Sequence, residues 1–323
     1  MVKPISISFL GSLVVSDGTF AVNAAFTQAQ ATEENPVLVN GTGRLLILGD
    51  RPQNRMPDDG YVVIDGKGAL LEIDANNPFK REDGETYFTP HIICRNGGTF
   101  QADGVTTDSV NDIHVWDIQL ESGRIYVAQN GTMYNNYAFR VNNGTIHSSG
   151  ESVIDQDADS PNRIVVDKIE VADGTLTLRA LMNAALIKTG AGALLLEGRG
   201  GSQADFIEIR EGTLIASEQL VNTEKHTAEF TTIQLQSGTA FDISRETGTF
   251  DFAAFQEEGG KLETNGRVTL ITGDRIIRNG DKLISWTTAP LGTFIPASDE
   301  SPVGFVKKDD GLYAIIGMSI TIR

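Results

Sequence analysis

The stretch Asp155-Gln156-Asp157-Ala158-Asp159-Ser160-Pro161-Asn162 holds the side chains best spaced to do chemistry. Alternating carboxylates set several hard oxygens on one side of a loop, the donor type that Ca²⁺ prefers. The opening follows EF-hand spacing, but the central glycine and the closing glutamate are missing. Two readings therefore stand: a solvated acidic loop, or a weak Ca²⁺ site with Asp155, Asp157 and Asp159 as ligands. Asp74-Ala75-Asn76-Asn77 with Asp83 and Glu85 is a poorer set of the same kind.

The four histidines, His91, His114, His147 and His226, fall in no two-histidine metal motif and near no nucleophile signature. His114 and His147 lie 33 residues apart, a spacing that stacked coils would bring together, although solvated or capping histidines are the plainer reading. Asn40-Gly41-Thr42-Gly43 and Gly190-Ala191-Gly192 have no helix after them, which speaks against a phosphate loop. Chemistry on an acidic polysaccharide would need carboxylate pairs or a cation beside a base. Arg140, Arg163, Lys168 and Arg179 offer the cations, and the Asp155–Asp159 run offers the carboxylates. Trp116, Tyr126, Tyr134 and Tyr137 would form a sugar-stacking stripe if neighbouring coils put them on one face; such aromatics are more often core or edge residues.

A formal charge of −17 repels nucleic-acid phosphate and anionic lipid alike, and leaves divalent cations as the ions most readily attracted. No stretch approaches the ~20 apolar residues that cross a bilayer, so direct membrane insertion is not expected. Cys94, the single cysteine, follows His91-Ile92-Ile93 and reads as a small buried hydrophobe. The opening Met1 to Val15 reads as a first hairpin or coil rather than a signal peptide, as expected of a mature form or an excised fragment.

The elements that would position these residues are announced by one recurring phrase: a turn former, Gly-Thr, then an apolar residue. It stands at Asp17–Phe20, Gly97–Phe100, Asn130–Met133, Asn143–Ile146, Asp173–Leu176, Glu211–Leu214, Ser237–Ala240 and Thr247–Phe250. Glycine supplies the positive φ of a tight turn and threonine suits the strand that follows. Recurrence at this spacing indicates a solenoid of roughly 20–30 residues per coil. Strand-like runs such as Arg44 to Leu48, Ala69 to Ile73 and Arg124 to Val127 dominate, and long helical periodicity is absent. Leu178 to Leu186 is the best helical candidate, but is too short to be stable alone and reads as a strand pair turning at Asn183.

The expected architecture is all-β: a right-handed parallel β-helix over residues 1–265, with a C-terminal β cap over 266–323. The charged, proline-bearing stretch of about 50–90 reads as loops leaving the solenoid. Asn40, Asn130 and Asn143 form Asn-x-Thr sequons, taken here as turn chemistry.

One segment goes beyond general solenoid grammar. Leu186-Ile187-Lys188-Thr189-Gly190-Ala191-Gly192-Ala193-Leu194-Leu195-Leu196-Glu197-Gly198 precedes Ile207-Glu208-Ile209-Arg210-Glu211-Gly212-Thr213-Leu214. This resembles the passenger-associated repeat of bacterial autotransporter proteins, whose pattern is Lys-x-Gly-x-Gly, alternating leucine, an Ile-rich strand and Gly-Thr-Leu. The usual Thr-rich middle is replaced by Gly200-Gly201-Ser202-Gln203-Ala204-Asp205, and no membrane β-barrel translocator is present in this sequence. The resemblance implies an exported β-helix, secreted or at the cell surface of a Gram-negative bacterium, probing its surroundings by adhesion or display. It carries over no catalytic residue and no resident cofactor.

The sequence therefore points to a non-enzymatic, adhesin-like passenger segment that presents side loops to a glycan or a host-surface receptor. Its oligomeric state is left open. A carbohydrate-active β-helix enzyme, lyase or glycosidase, is the alternative, and a trimeric phage-type spike is a third reading.

Overall fold

A computed structural model describes residues 7–9, 13–22, 26–28, 31–49, 60–75, 89–103, 113–128, 137–157, 163–182, 185–197, 201–202, 206–217, 220, 232–298 and 301–317. Parallel strands stack into a β-solenoid. One ladder has twelve strands, from Thr19–Val22 to Thr293–Pro296, and a second has eleven, from Val14–Val15 to Lys261–Thr264. A third ladder of five runs from His114–Val115 through Tyr137–Val141, Arg163–Val165 and Leu181–Met182 to Gly201–Ser202. The middle coils are thus three-sided. Along the two long ladders a coil takes as few as 18 residues, from Thr175 to its partner Ala193, and as many as 30, from Tyr61 to His91.

The core follows from alternation along each strand. On the twelve-stranded side Leu45, Leu71, Phe100, Ile125, Ile154, Leu178 and Leu196 stack one above another, all fully buried. On the eleven-stranded side the corresponding column is Val37, Val62, Ile92, Ile118, Ile146 and Ile169. Each such side chain contributes about 1.5–3 kcal/mol by leaving water, and does so only when the next coil covers it. Cys94 stacks between Ile64 and Leu120 as the buried hydrophobe expected of it, and burial pushes its thiol up to about 12.

Five of the eight Gly-Thr phrases, at Gly18, Gly98, Gly174, Gly212 and Gly238, mark one corner, where the chain leaves the eleven-stranded ladder for the twelve-stranded one. Gly144 serves the corner before the eleven-stranded ladder, Gly248 precedes Phe250–Asp251, and Gly131 lies outside the described residues.

Three features refine the sequence reading. Within the 50–90 stretch, Tyr61–Asp65 and Leu70–Ala75 are regular rungs of the two long ladders; residues 50–59 and 76–88 lie outside the described residues. Alternating Val62, Ile64, Leu71 and Ile73 outweigh the flanking charge and proline there. The solenoid also runs past residue 265, because Arg267–Ile271 and Thr293–Pro296 extend the twelve-stranded ladder. Antiparallel pairing begins only where Lys282–Ser285 meets Gly311–Ile316, which in turn pairs with Val303–Lys308. Trp286, almost wholly buried, anchors this region by donating its indole N–H to the Lys308 carbonyl at 3.0 Å. Last, Phe252–Glu257 is a short helix, capped by the Asp251 carboxylate on the Ala253 N–H and seated by buried Phe252 and Phe255. Leu178 to Leu186 is strand as expected, with Thr175–Leu178, Leu181–Met182 and Leu186–Thr189; Asn183 lies outside the described residues.

Candidate functional site

On Glu151–Gln156 the even-numbered residues point inward, so Asp155 and Asp157 both face outward from the twelve-stranded ladder. That strand stacks between Arg124–Ala128 and Thr175–Leu178, which brings arginines rather than further carboxylates alongside. The Asp155 carboxylate receives Arg124 Nη2 at 2.7 Å and lies 3.6 Å from Arg179 Nη1. Arg179 in turn donates to Glu197 at 2.9 Å, and Arg245 approaches Glu197 at 3.8 Å. The result is a chain of alternating charge running along the rod. Asp157 accepts the Tyr126 hydroxyl, and that hydrogen bond, with burial, pushes the phenol up to about 12.

The acidic run is therefore split in use. Asp155 is held by two guanidinium groups and Asp157 by a phenol, while Asp159 lies outside the described residues. The two described carboxylates do share one side, as the alternation implied. Among the described residues, no group of three His, Cys, Asp or Glu side chains is placed to hold a metal ion. Asp74 is the penultimate residue of the rung Leu70–Ala75, and its companions Asn76, Asn77, Asp83 and Glu85 lie outside the described residues.

Beside Arg124 and Tyr126 the same face carries a shallow cleft of about 390 Å³. Leu70, with Lys67 in the turn before it, forms its first level, Thr99 and Gln101 the second, Arg124 and Tyr126 the third. The guanidinium of Arg124 sits 5.2 Å from the centroid of the Tyr126 ring, fixed there by its bond to Asp155. The lining has two cations and no carboxylate. The neighbouring outward carboxylates Glu72, Asp155 and Asp157 are bound by Arg44, Arg124 and the Tyr126 hydroxyl; Arg44 Nε reaches Glu72 at 2.8 Å. This face offers hydrogen bonding, a fixed cation and an aromatic edge together, the usual means of orienting a polar ligand.

The other residues proposed from sequence are dispersed. His114 belongs to the five-stranded ladder, beside Asn142 at 3.0 Å, whereas His147 belongs to the eleven-stranded one, 3.4 Å from Glu170. Their 33-residue spacing lies slightly above a coil period, and they occupy different sides of the coil. Of the four proposed cations only Arg179 meets Asp155; Arg140 and Arg163 lie on the five-stranded ladder and Lys168 on the eleven-stranded one. Half-exposed Trp116 stands at a corner before the eleven-stranded ladder, away from Tyr126, so the two share no stripe. Tyr137 begins a third-ladder strand and Tyr134 lies outside the described residues.

Sequence reasoning missed one cluster. His91 stacks on Tyr61, rings 4.3 Å apart and nearly parallel, and its Nδ1 lies 2.8 Å from Asp117 Oδ1. These are the same register position on three successive coils. Spacings of 30 and 26 residues carry that signal, but only once the coil length is known.

A larger cleft, of about 650 Å³, lies between the last eleven-stranded rung, Lys261–Thr264, and residues 287–291. Gln256 frames it, accepting the Thr287 and Thr288 N–H groups at 2.8 and 3.2 Å and donating to the Thr288 carbonyl at 2.9 Å.

Among family models, curated proteins and solved structures, nothing matches this chain.

Proposed function

We propose that this chain is an exported or cell-surface β-helix of the autotransporter-passenger type, a non-enzymatic rod whose outward faces and side loops bind glycan. The observation that carries the reading is the rigid twelve-stranded face, where Arg124, Tyr126, Thr99 and Gln101 converge on one cleft. Backbone ladders hold such groups at fixed spacing, so little ordering remains to be done on binding. Stacked glycine corners around Gly190 and Gly212, on the segment that carries the repeat-like motif, support the passenger resemblance. In this reading the antiparallel strands Lys282–Ser285, Val303–Lys308 and Gly311–Ile316 cap the open core and blunt its edge.

Calcium enters as a competitor. An ion at Asp155, Asp157 and Asp159 would have to displace Arg124, Arg179 and Tyr126 from the first two carboxylates.

A second reading, a carbohydrate-active enzyme, draws on the His91–Asp117 contact, since a carboxylate on Nδ1 orients imidazole for proton transfer. One experiment separates the two: a glycan array with the purified chain, with and without Ca²⁺, followed by mass analysis of the bound glycans. Binding without cleavage is the expected result. Cleaved product abolished by His91→Ala would overturn the non-enzymatic reading, and silence on the array would remove glycan binding altogether.

A further inference from the structure

Resting on the glycan-binding reading above, we infer that the cleft between Lys67 and Tyr126 takes a pyranose bearing a carboxylate, such as a uronic or sialic acid residue. On a chain of net charge −17, this lining holds two cations, Lys67 and Arg124, and no carboxylate. A neutral sugar offers those cations only hydroxyl and ring oxygens, whereas a carboxylated one adds an ionised acceptor, and hydrogen bonds with an ionised partner are about twice as strong as neutral ones. Arg124 has five N–H donors in a planar fork, and Asp155 engages the Nη2 side of it, which holds the side chain in place. Of the flanking carboxylates, Glu72 and Asp155 have arginine partners and Asp157 accepts the Tyr126 hydroxyl, so none of them lines the cleft itself. Thr99 and Gln101 suit ring hydroxyls, while Leu70 and the Tyr126 ring suit the sugar's C–H faces. Three rungs at the ~4.8 Å strand spacing span about 10 Å, enough for one sugar ring with its carboxylate.

The full chain would be titrated by saturation-transfer NMR with galacturonate, N-acetylneuraminate, galactose and acetate. At least one acid sugar should bind, with galactose weaker by about tenfold or more. Which acid sugar binds distinguishes the uronic from the sialic source. Lys67→Gln should weaken that binding about fivefold or more while leaving the circular dichroism spectrum unchanged, because Lys67 lies outside the Arg–carboxylate chain. Raising salt to about 0.5 M, where the Debye length is roughly 4 Å, should weaken it as well. Equal binding of galactose and galacturonate would overturn the inference. So would a Lys67→Gln variant that binds like the parent chain, or acetate that displaces the sugar at equal concentration. Array binding that persists in those cases leaves the glycan-binding function standing without this ligand; a silent array removes both.

Discussion

Lys188 occupies an inward position between Ile169 on one coil and Ile209 on the next, and is fully buried. Its stem packs in the core and its Nζ donates to the carbonyls of Gly190 and Glu211, tying two successive corners together. Burial lowers its pKa from the ordinary 10.5 to about 8. Between those values the unfolded chain binds more protons than the folded one, so this group adds stability as pH rises through the window. The stability difference between the parent chain and Lys188→Ala should therefore widen from pH 8 to 10 in urea denaturation. A gap that stays constant or narrows would refute the assignment. At neutral pH the substitution should cost about 2–4 kcal/mol, from lost packing and two unmet carbonyls. The corner glycines make a matched pair. Gly212 and Gly18 both have φ of +73°, but a Cβ on Gly212 would collide with the carbonyls of Gly190 and Gly192, whereas one on Gly18 meets nothing. Gly18→Ala should cost about 1–2 kcal/mol of backbone strain, and Gly212→Ala clearly more. Equal losses in parallel melts would show that close approach is not what demands glycine there.

Among elements, the rungs near Asp155 are tied by ion pairs that solvent reaches: the Arg124 side chain is 44% exposed and Asp155 18%. Exposed pairs contribute little, so Asp155→Asn should cost less than about 1 kcal/mol, and the loss should shrink in 1 M salt. A larger, salt-independent loss would mean that Asp155 acts through buried hydrogen bonding instead. The helix Phe252–Glu257 behaves differently. Phe252 is fully buried with its ring centroid 5.0 Å from Phe250 and 5.9 Å from Phe241. Phe252→Ala should cost about 3–5 kcal/mol by chemical denaturation. That helix was illegible in the sequence because six residues lie below the length at which periodicity shows, and tertiary packing supplies its stability. Asp251 as N-cap and the Phe252/Phe255 pair are the only local signals.

At the scale of the whole molecule, each coil is covered by its two neighbours, so stability is a sum of local terms coupled to the nearest coils. Leu176→Ala removes a fully buried side chain that stacks on Ser152 and Leu194. Amide exchange should accelerate in Glu151–Gln156 and Ala193–Leu196, while Tyr61–Asp65 and His91–Arg95 keep their protection. Uniform acceleration along the rod would show that it unfolds as one cooperative block.

Periodicity and turn chemistry were enough to read a stacked, parallel, all-β rod, because glycine at a tight corner and alternating aliphatic residues are local requirements written into each coil. The buried role of Cys94 was legible for the same reason. Which side of the rod a residue occupies was not, since coils vary from 18 to 30 residues and a fixed spacing cannot convert sequence distance into stacking. His114 and His147 were parted by that variation, and Tyr61, His91 and Asp117 were brought together by it. The partners of Asp155 were likewise decided in three dimensions: the arginines come from the coils above and below, 31 residues before it and 24 after. Only strand register, set by packing of the core columns, places those charges side by side.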